Sequence, residues 1–226
     1  MANANDRTRT LMSWSSGKDS AWALHVLQQR EDVEVVGLFT TLNRAADRAA
    51  MHAVRRTLVQ RQARAAGLPV EFIPLPHPCP NAEYEAAMGA FMDRARARDV
   101  EAFAFGDLQL EDVRRYREKS MGGSGIEPLF PIWGSDTAAL AATMVEAGLR
   151  ARVTCVDPRQ MPSRFAGRLF DRALLDELPA GVDRCGENGE FHTFAFAGPM
   201  FSRPIAMTVG ETVERDGFVF TDLMPA

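Results

Sequence analysis

Short apolar runs alternate with longer stretches whose apolar residues recur every third or fourth position, strands answered by helices. An apolar start at Leu11-Met12 gives way to small polar residues, after which Ala21, Trp22, Leu24 and Leu27 mark a helix. Residues 33–40, rich in β-branched side chains between Asp32 and Thr40-Thr41, predict a second buried strand. Residues 44–66 read as one long helix, with Met51, Val54 and Leu58 on one face and arginines on the other, closed by Gly67-Leu68-Pro69. A short strand over 70–73 and a proline-rich loop over 74–80 follow. Next come a helix over 82–98, with Tyr84, Met88, Phe91 and Met92 on its apolar side, and a fourth strand over 102–105.

Strand and helix alternating at this spacing give right-handed crossovers and a parallel sheet. Ligands of such sheets sit beyond the carboxyl ends of the strands, where the strand order reverses. Residues 15–20, Thr40-Thr41 and Asp107 all fall on that edge. After a helix over 111–120, Gly122-Gly123-Ser124-Gly125 is a flexible break, and we place the domain boundary there, giving residues 1–124 and 125–226. The second part opens with an apolar stretch over 127–134, followed by a helix over 136–148, a strand over 151–156 and a helix near 168–177. Strands over 191–196, 204–209 and 217–221 complete it, with Asp216-Gly217 a hairpin-turn signal. The expected fold class is α/β: a Rossmann-like parallel sheet with helices on both faces, plus a smaller C-terminal α+β substrate domain.

At 226 residues the chain can bury a sizeable core. A net charge of −4 argues against a general nucleic-acid binder, and Arg55-Arg56 and Arg114-Arg115 read as solvated helix faces. The three cysteines, Cys79, Cys155 and Cys185, lie far apart and fit neither a disulfide framework nor a C-x-x-C zinc site. No apolar run is long enough to span a membrane and residues 1–10 are polar, so the expected setting is the cytoplasm, with no membrane partner.

Candidate chemistry concentrates in three places. Residues 12–20 run from strand end through Ser13, Ser15, Ser16 and Gly17 into a helix start, where free N–H groups and the helix dipole suit a phosphate. Short side chains let the backbone reach the anion, and Gly17 tolerates positive φ. Lys18 offers a point charge, Asp19 a carboxylate to polarise a donor or sit near Mg²⁺, and Ser20 a hydroxyl. A Walker loop is excluded, because Met12 replaces its first glycine and Asp19 its Ser/Thr. The second place is 185–193, where Glu187 and Glu190 can hold Mg²⁺ or an ammonium, Asn188 an amide, and His192 a proton. A solvated hairpin approach with a capping glutamate explains the same residues. The third place is 106–112, where Asp107 either caps the following helix or faces a metal; Glu111 and Tyr116 lie on that helix. A second pocket is expected between 127–134, which holds Trp133, and 187–192. His77-Pro78-Cys79 lacks a matching second pair for zinc, and His25 reads as a packing histidine.

The 15–20 stretch resembles the S-G-G-x-D-S loop of the PP-loop ATP pyrophosphatases, with Ser16 where that loop usually has glycine. Three further motifs, Gly106-Asp107-Leu108, the P-L-F-P-I-W segment over 128–133 and G-E-N-G-E-F over 186–191, make the whole chain similar to the diphthine–ammonia ligase family of these ATPases. Met51-His52-Ala53-Val54 corresponds to the family's M-H-G-V, with Ala53 in place of glycine. His192-Thr193 stands where many members have Glu-Thr and resembles a bacterial branch. The resemblance implies a HUP-type nucleotide domain and a two-step ligase using ATP and Mg²⁺. Phosphates would lie on residues 15–20, with Lys18 and Asp19 taking part, and adenine near Thr40. Asp107, Glu187 and Glu190 would serve catalysis, while His52, Glu111, Tyr116, Trp133, Asn188 and His192 would face the substrate. An acceptor carboxylate, on a small molecule or a protein, would be adenylated and then amidated by ammonia. A homodimer stays open. A tRNA-modifying PP-loop ATPase is the competing enzyme reading, although the chain lacks a clear cysteine pair and basic face. A nucleotide-binding sensor without turnover is the non-enzymatic one.

Overall fold

A computed structural model describes residues 7–49 and 54–226. The first half alternates strands and helices as the pattern predicts: β1 (Thr8–Ser13), α1 (Lys18–Gln28), β2 (Val33–Asn43), the short β3 (Arg48–Ala49), α2 (Arg56–Ala66), β4 (Val70–Leu75), α3 (Asn81–Arg96), β5 (Ala102–Ala104), α4 (Glu111–Met121) and β6 (Glu127–Leu129). β4, β2, β1, β5 and β6 lie side by side and all parallel, while β3 folds back antiparallel on Leu42 and Asn43. The chain builds outward from β1 through β2 to β4, then returns to the other side of β1 with β5 and β6. The order therefore reverses between β1 and β5. β6 lies beyond the glycine break yet pairs with β5.

The second half contains α5 (Thr137–Glu146), β7 (Arg150–Val156), β8 (Leu169–Phe170), α6 (Arg172–Glu177), β9 (Phe191–Ala197), β10 (Met207–Arg215) and β11 (Phe218–Pro225). These strands form an antiparallel sheet around β7, bordered by β9 on one side and by β8 and β11 on the other. The β10–β11 hairpin turns on Asp216 (φ 54°) and Gly217 (φ 78°), the pair of positive φ values a two-residue turn needs. The α/β class with a mostly parallel, helix-flanked sheet holds, together with a second sheet in the C-terminal region.

Two apolar clusters fill the molecule. One is aromatic, with the Phe39 ring tilted against Phe91 at 4.9 Å and Phe103 at 4.7 Å between centroids, and lies against α3 and α4. The other is continuous across both sheets, from Met12, Trp14 and Leu24 to Phe165, Phe191 and Phe194. The two halves thus share a core. Arg48 and Arg55 add a polar tie, both reaching Asp222 on β11.

Several boundaries differ from expectation. The long helix over 44–66 starts only at Arg56, because the Asn43 side chain accepts the Ala45 and Ala46 N–H groups at 3.0 and 3.1 Å and so turns the chain. Asp47, at φ 51°, continues that turn into β3. Met51, His52 and Ala53 lie outside the described residues. The helix near 168–177 is cut to α6 by β8, and Asp171 caps it through the Leu174 N–H. The strand placed at 204–209 begins at Met207 and runs on to Arg215. Among the described residues no helix is long and apolar enough to cross a membrane.

Candidate active site

The turn from β1 into α1 sits at the reversal in strand order, and its shape comes from one unusual residue. Ser16 adopts φ 70°, while Gly17 is extended (φ −82°, ψ 174°) and is the N-cap of α1, its carbonyl accepting the Ala21 N–H. The expectation of positive φ at Gly17 is therefore corrected. The bend falls one residue earlier, which frees Gly17 to enter the helix. A left-handed serine costs about 1–2 kcal/mol, and here its hydroxyl is also buried without a hydrogen-bond partner. What holds it is its carbonyl, which accepts the Ala195 N–H and the Gln62 side-chain N–H, both at 2.9 Å. Gln62 in turn accepts the Trp14 indole N–H at 2.8 Å and donates to the Ala195 carbonyl.

The hydroxyls of the loop are already ordered. Ser15 donates to the Ser20 Oγ at 3.0 Å, and Ser20 donates to the Gly17 carbonyl at 3.1 Å. Ser13 ends β1, and Thr40, buried, lies one residue past the β2 partner of Ser13. Gly106 follows β5 so close to α1 that a Cβ there would stand 2.9 Å from the Ser20 backbone nitrogen. Only glycine fits this approach. The ends of β1, β2 and β5 thus converge around the first turn of α1, whose positive dipole end favours negative charge.

Lys18 does not reach across this loop. Its ammonium is buried, donates to Asp19 Oδ1 at 3.0 Å and Oδ2 at 2.9 Å, and also donates to the Cys185 carbonyl. Its own N–H donates to the Thr193 hydroxyl at 3.1 Å. Burial alone would lower the Lys18 pKa, but the neighbouring Asp19 carboxylate, chief among the opposing causes, leaves it raised.

The 183–190 loop is organised by carboxylates. Glu190, buried, accepts the N–H groups of Asp183 and Asn188, each at 2.9 Å, and the Asn188 side-chain amide at 3.0 Å. Asp183 accepts the Cys185 and Glu187 N–H groups. Glu187 reaches out of the loop, and its Oε1 accepts the Leu108 and Gln109 N–H groups at 3.1 Å each. Burial holds its carboxyl above the usual range, the two amides pulling the other way. Cys185 is buried, and that burial pushes its thiol up to about 12.

Other expected residues stand apart. Asp107 does not cap α4, whose N-cap is Leu110; instead it accepts a two-pronged pair from Arg117, whose guanidinium lies 4.2 Å from the Phe105 ring centroid. Glu111 and Tyr116 are exposed on α4. Trp133 packs at 5.9 Å against Phe130, with the Arg114 guanidinium over both rings. Asn188 is exposed, and His192 lines a cavity of about 670 Å³ that also touches Asn43, Leu75, His77 and Phe220. His52 lies outside the described residues. Brought together are residues 15–20, Thr40, Gly106 and Glu187. Sequence reasoning missed Gln62 and Thr193. Gln62 had a signal, since it is the polar member of a buried stripe with Leu58, Val59 and Ala63. Among the described residues no group of three His, Cys, Asp or Glu could hold a metal by itself. The Asp19 carboxylate, partly exposed, is the acid of this loop that a cation can approach.

Residues 8–128 match the family model for the diphthamide synthase N-terminal domain, and residues 136–221 that for the diphthamide synthase C-terminal domain. Among curated proteins, the diphthine–ammonia ligase of Danio rerio is 36% identical over 110 residues, covering 46% of this chain and 43% of that protein. The diphthine–ammonia ligase of Homo sapiens is 29% identical over 121 residues, covering 51% of this chain and 45% of that protein. The chain spans about half the length of these relatives.

Proposed function

The chain belongs to the diphthamide synthase family, and from that premise we propose that it is an ATP-dependent ligase forming an amide from a carboxylate and ammonia. The observation that carries this reading is the 15–20 loop at the strand-order reversal, with Gly106 packed on its helix start. In this reading residues 1–124 handle the nucleotide and residues 125–226 shape the acceptor side, with β6 of the second part completing the first sheet. Ser13, Ser15, Ser16, Gly17 and Ser20 frame the outer two phosphoryl groups, and Thr40 lies toward the base. Asp19 would hold Mg²⁺, which supplies positive charge to the departing pyrophosphate.

An oxygen of the acceptor carboxylate attacks the α-phosphorus, and the bond from that phosphorus to the pyrophosphate bridging oxygen breaks. Ammonia then adds to the acyl carbon, AMP leaves, and the nitrogen gives up a proton to a base. The first step matters because a carboxylate is a poor electrophile, whereas AMP is a good leaving group. Fixed backbone donors facing the developing charge are each worth about 10²–10³ in rate. Glu187, on the amides at the end of β5, is the carboxylate best placed to act beside this site, while Glu190 and Asp107 act through the groups they hold.

The test is incubation with ATP, Mg²⁺ and ammonium, with and without a metabolite extract, read by mass spectrometry for AMP and pyrophosphate. Extract-dependent pyrophosphate is expected, and Gly17→Val or Asp19→Ala should abolish it with the far-ultraviolet circular dichroism unchanged. Bound nucleotide with no pyrophosphate under any condition would replace the ligase by a sensor.

A further inference from the structure

Lys18 stands in a loop suited to phosphate, yet its side chain runs toward the other half of the molecule. Its ammonium lies 5.2 Å from the Phe191 ring centroid and 5.5 Å from that of Phe170, and there it meets the Cys185 carbonyl and both oxygens of Asp19. Two residues after Cys185, Glu187 holds the Leu108 and Gln109 amides. The Asp183 carboxylate accepts the N–H groups of both Cys185 and Glu187, so these contacts and the short backbone between them connect the α1 start, through 183–190, to the amides that follow β5. We propose that Lys18 is a positioning residue that transmits occupancy of the 15–20 loop to the 183–190 loop, and through Glu187 to the amides after β5.

The chemistry of the contact explains why it would respond. Asp19 is partly exposed while Lys18 is fully enclosed, so a ligand reaches the carboxylate and not the ammonium. Whatever positive charge comes to share Asp19 weakens its pull on Lys18. The ammonium cannot swing into water, because the two phenyl rings wall its path, and a buried cation must keep its remaining acceptors. The Cys185 carbonyl then carries more of that charge, and the loop it belongs to tightens. This inference rests on nucleotide binding at residues 15–20.

Hydrogen exchange read by mass spectrometry tests it, on the whole chain with Mg²⁺ and a non-hydrolysable ATP analogue. In the wild type the analogue should slow exchange at least threefold both in 15–20 and in 183–190. In Lys18→Met the slowing at 15–20 should remain while that at 183–190 disappears, and Lys18→Arg should restore part of it. A merely structural lysine would change exchange equally with and without nucleotide. Slowing at 183–190 that survives Lys18→Met overturns the proposal, as does a loss of analogue affinity of a hundredfold or more, which would make Lys18 a phosphate ligand. Should Lys18→Met fail to fold, Glu187→Ala tests the far end: nucleotide should still slow 183–190 but no longer 108–109, and persistent slowing at 108–109 overturns the relay. Slowing in the wild type confined to 15–20 refutes this proposal alone. No slowing anywhere refutes the nucleotide reading and this one with it.

Discussion

The 15–20 and 183–190 loops face each other and are built in opposite ways. The first bends through small residues, with its carbonyl at Ser16 clamped by Gln62 and Ala195 and the Ser15 hydroxyl bonded to that of Ser20. The second hangs its backbone amides on the carboxylates of Asp183 and Glu190. Neutral hydrogen bonds shape the bend of one, and carboxylates hold the other. In the first loop the Gly17 and Lys18 N–H groups go to neutral hydroxyls, of Ser15 and Thr193, whereas a carboxylate-built loop is rigid only while its acids are in place.

The sharpest way to break this contrast is Glu190→Ala, which strands the part-buried N–H groups of Asp183 and Asn188. It should cost about 3 kcal/mol in denaturant unfolding, and Glu190→Gln clearly less. A loss below 1 kcal/mol would mean that the loop does not depend on its acid.

Acid titration separates charge from packing next. Burial opposes ionisation of Asp222, but the Arg55 and Arg48 guanidinium groups win and bring its carboxyl down to about 2 from an ordinary 3.8. With the folded value depressed, its contribution is complete above pH 4 and fades as pH falls toward 2. Glu187 has the opposite sign: its raised value is a penalty at neutral pH that shrinks on acidification. A protonated Glu187 accepts more weakly, so protection of the Leu108 and Gln109 amides, taken relative to their intrinsic exchange rate at each pH, should fall in mild acid, before the Asp222 tie fails and while protection at 15–20 stays unchanged.

The smallest effect is expected at Ser16→Gly, which relieves the left-handed serine and removes its orphaned hydroxyl. Against the added chain entropy of glycine this should gain about 1 kcal/mol, a rise of about 2–4 °C in Tm. A drop in Tm would show that the hydroxyl has a partner in solution.

β1, β2, β4 and β5 were legible as short apolar or β-branched runs with turn residues near their ends, whereas β6, a three-residue Glu-Pro-Leu strand beyond the glycine break, was not. The 44–47 turn was not legible either, since its alanines and arginine read as helix and the Asn43 side chain overrides them. The loop at 15–20 was recognisable by its residue types, but its torsions were placed one residue late. The direction of Lys18 could not be read at all. It is set by Phe170, Cys185 and Phe191, more than 150 positions away, and no local pattern records which ring a side chain will meet.

Gln62 joins Trp14, Ser16 and Ala195, and so stitches α2, the β1–α1 turn and β9 through one amide. Two separately expressed fragments cut at the glycine break would each expose half of that stitch and half of the shared core. A graft that swaps in a foreign second half must present a strand at the height of Ala195, or the first half inherits a bent loop with nothing behind it.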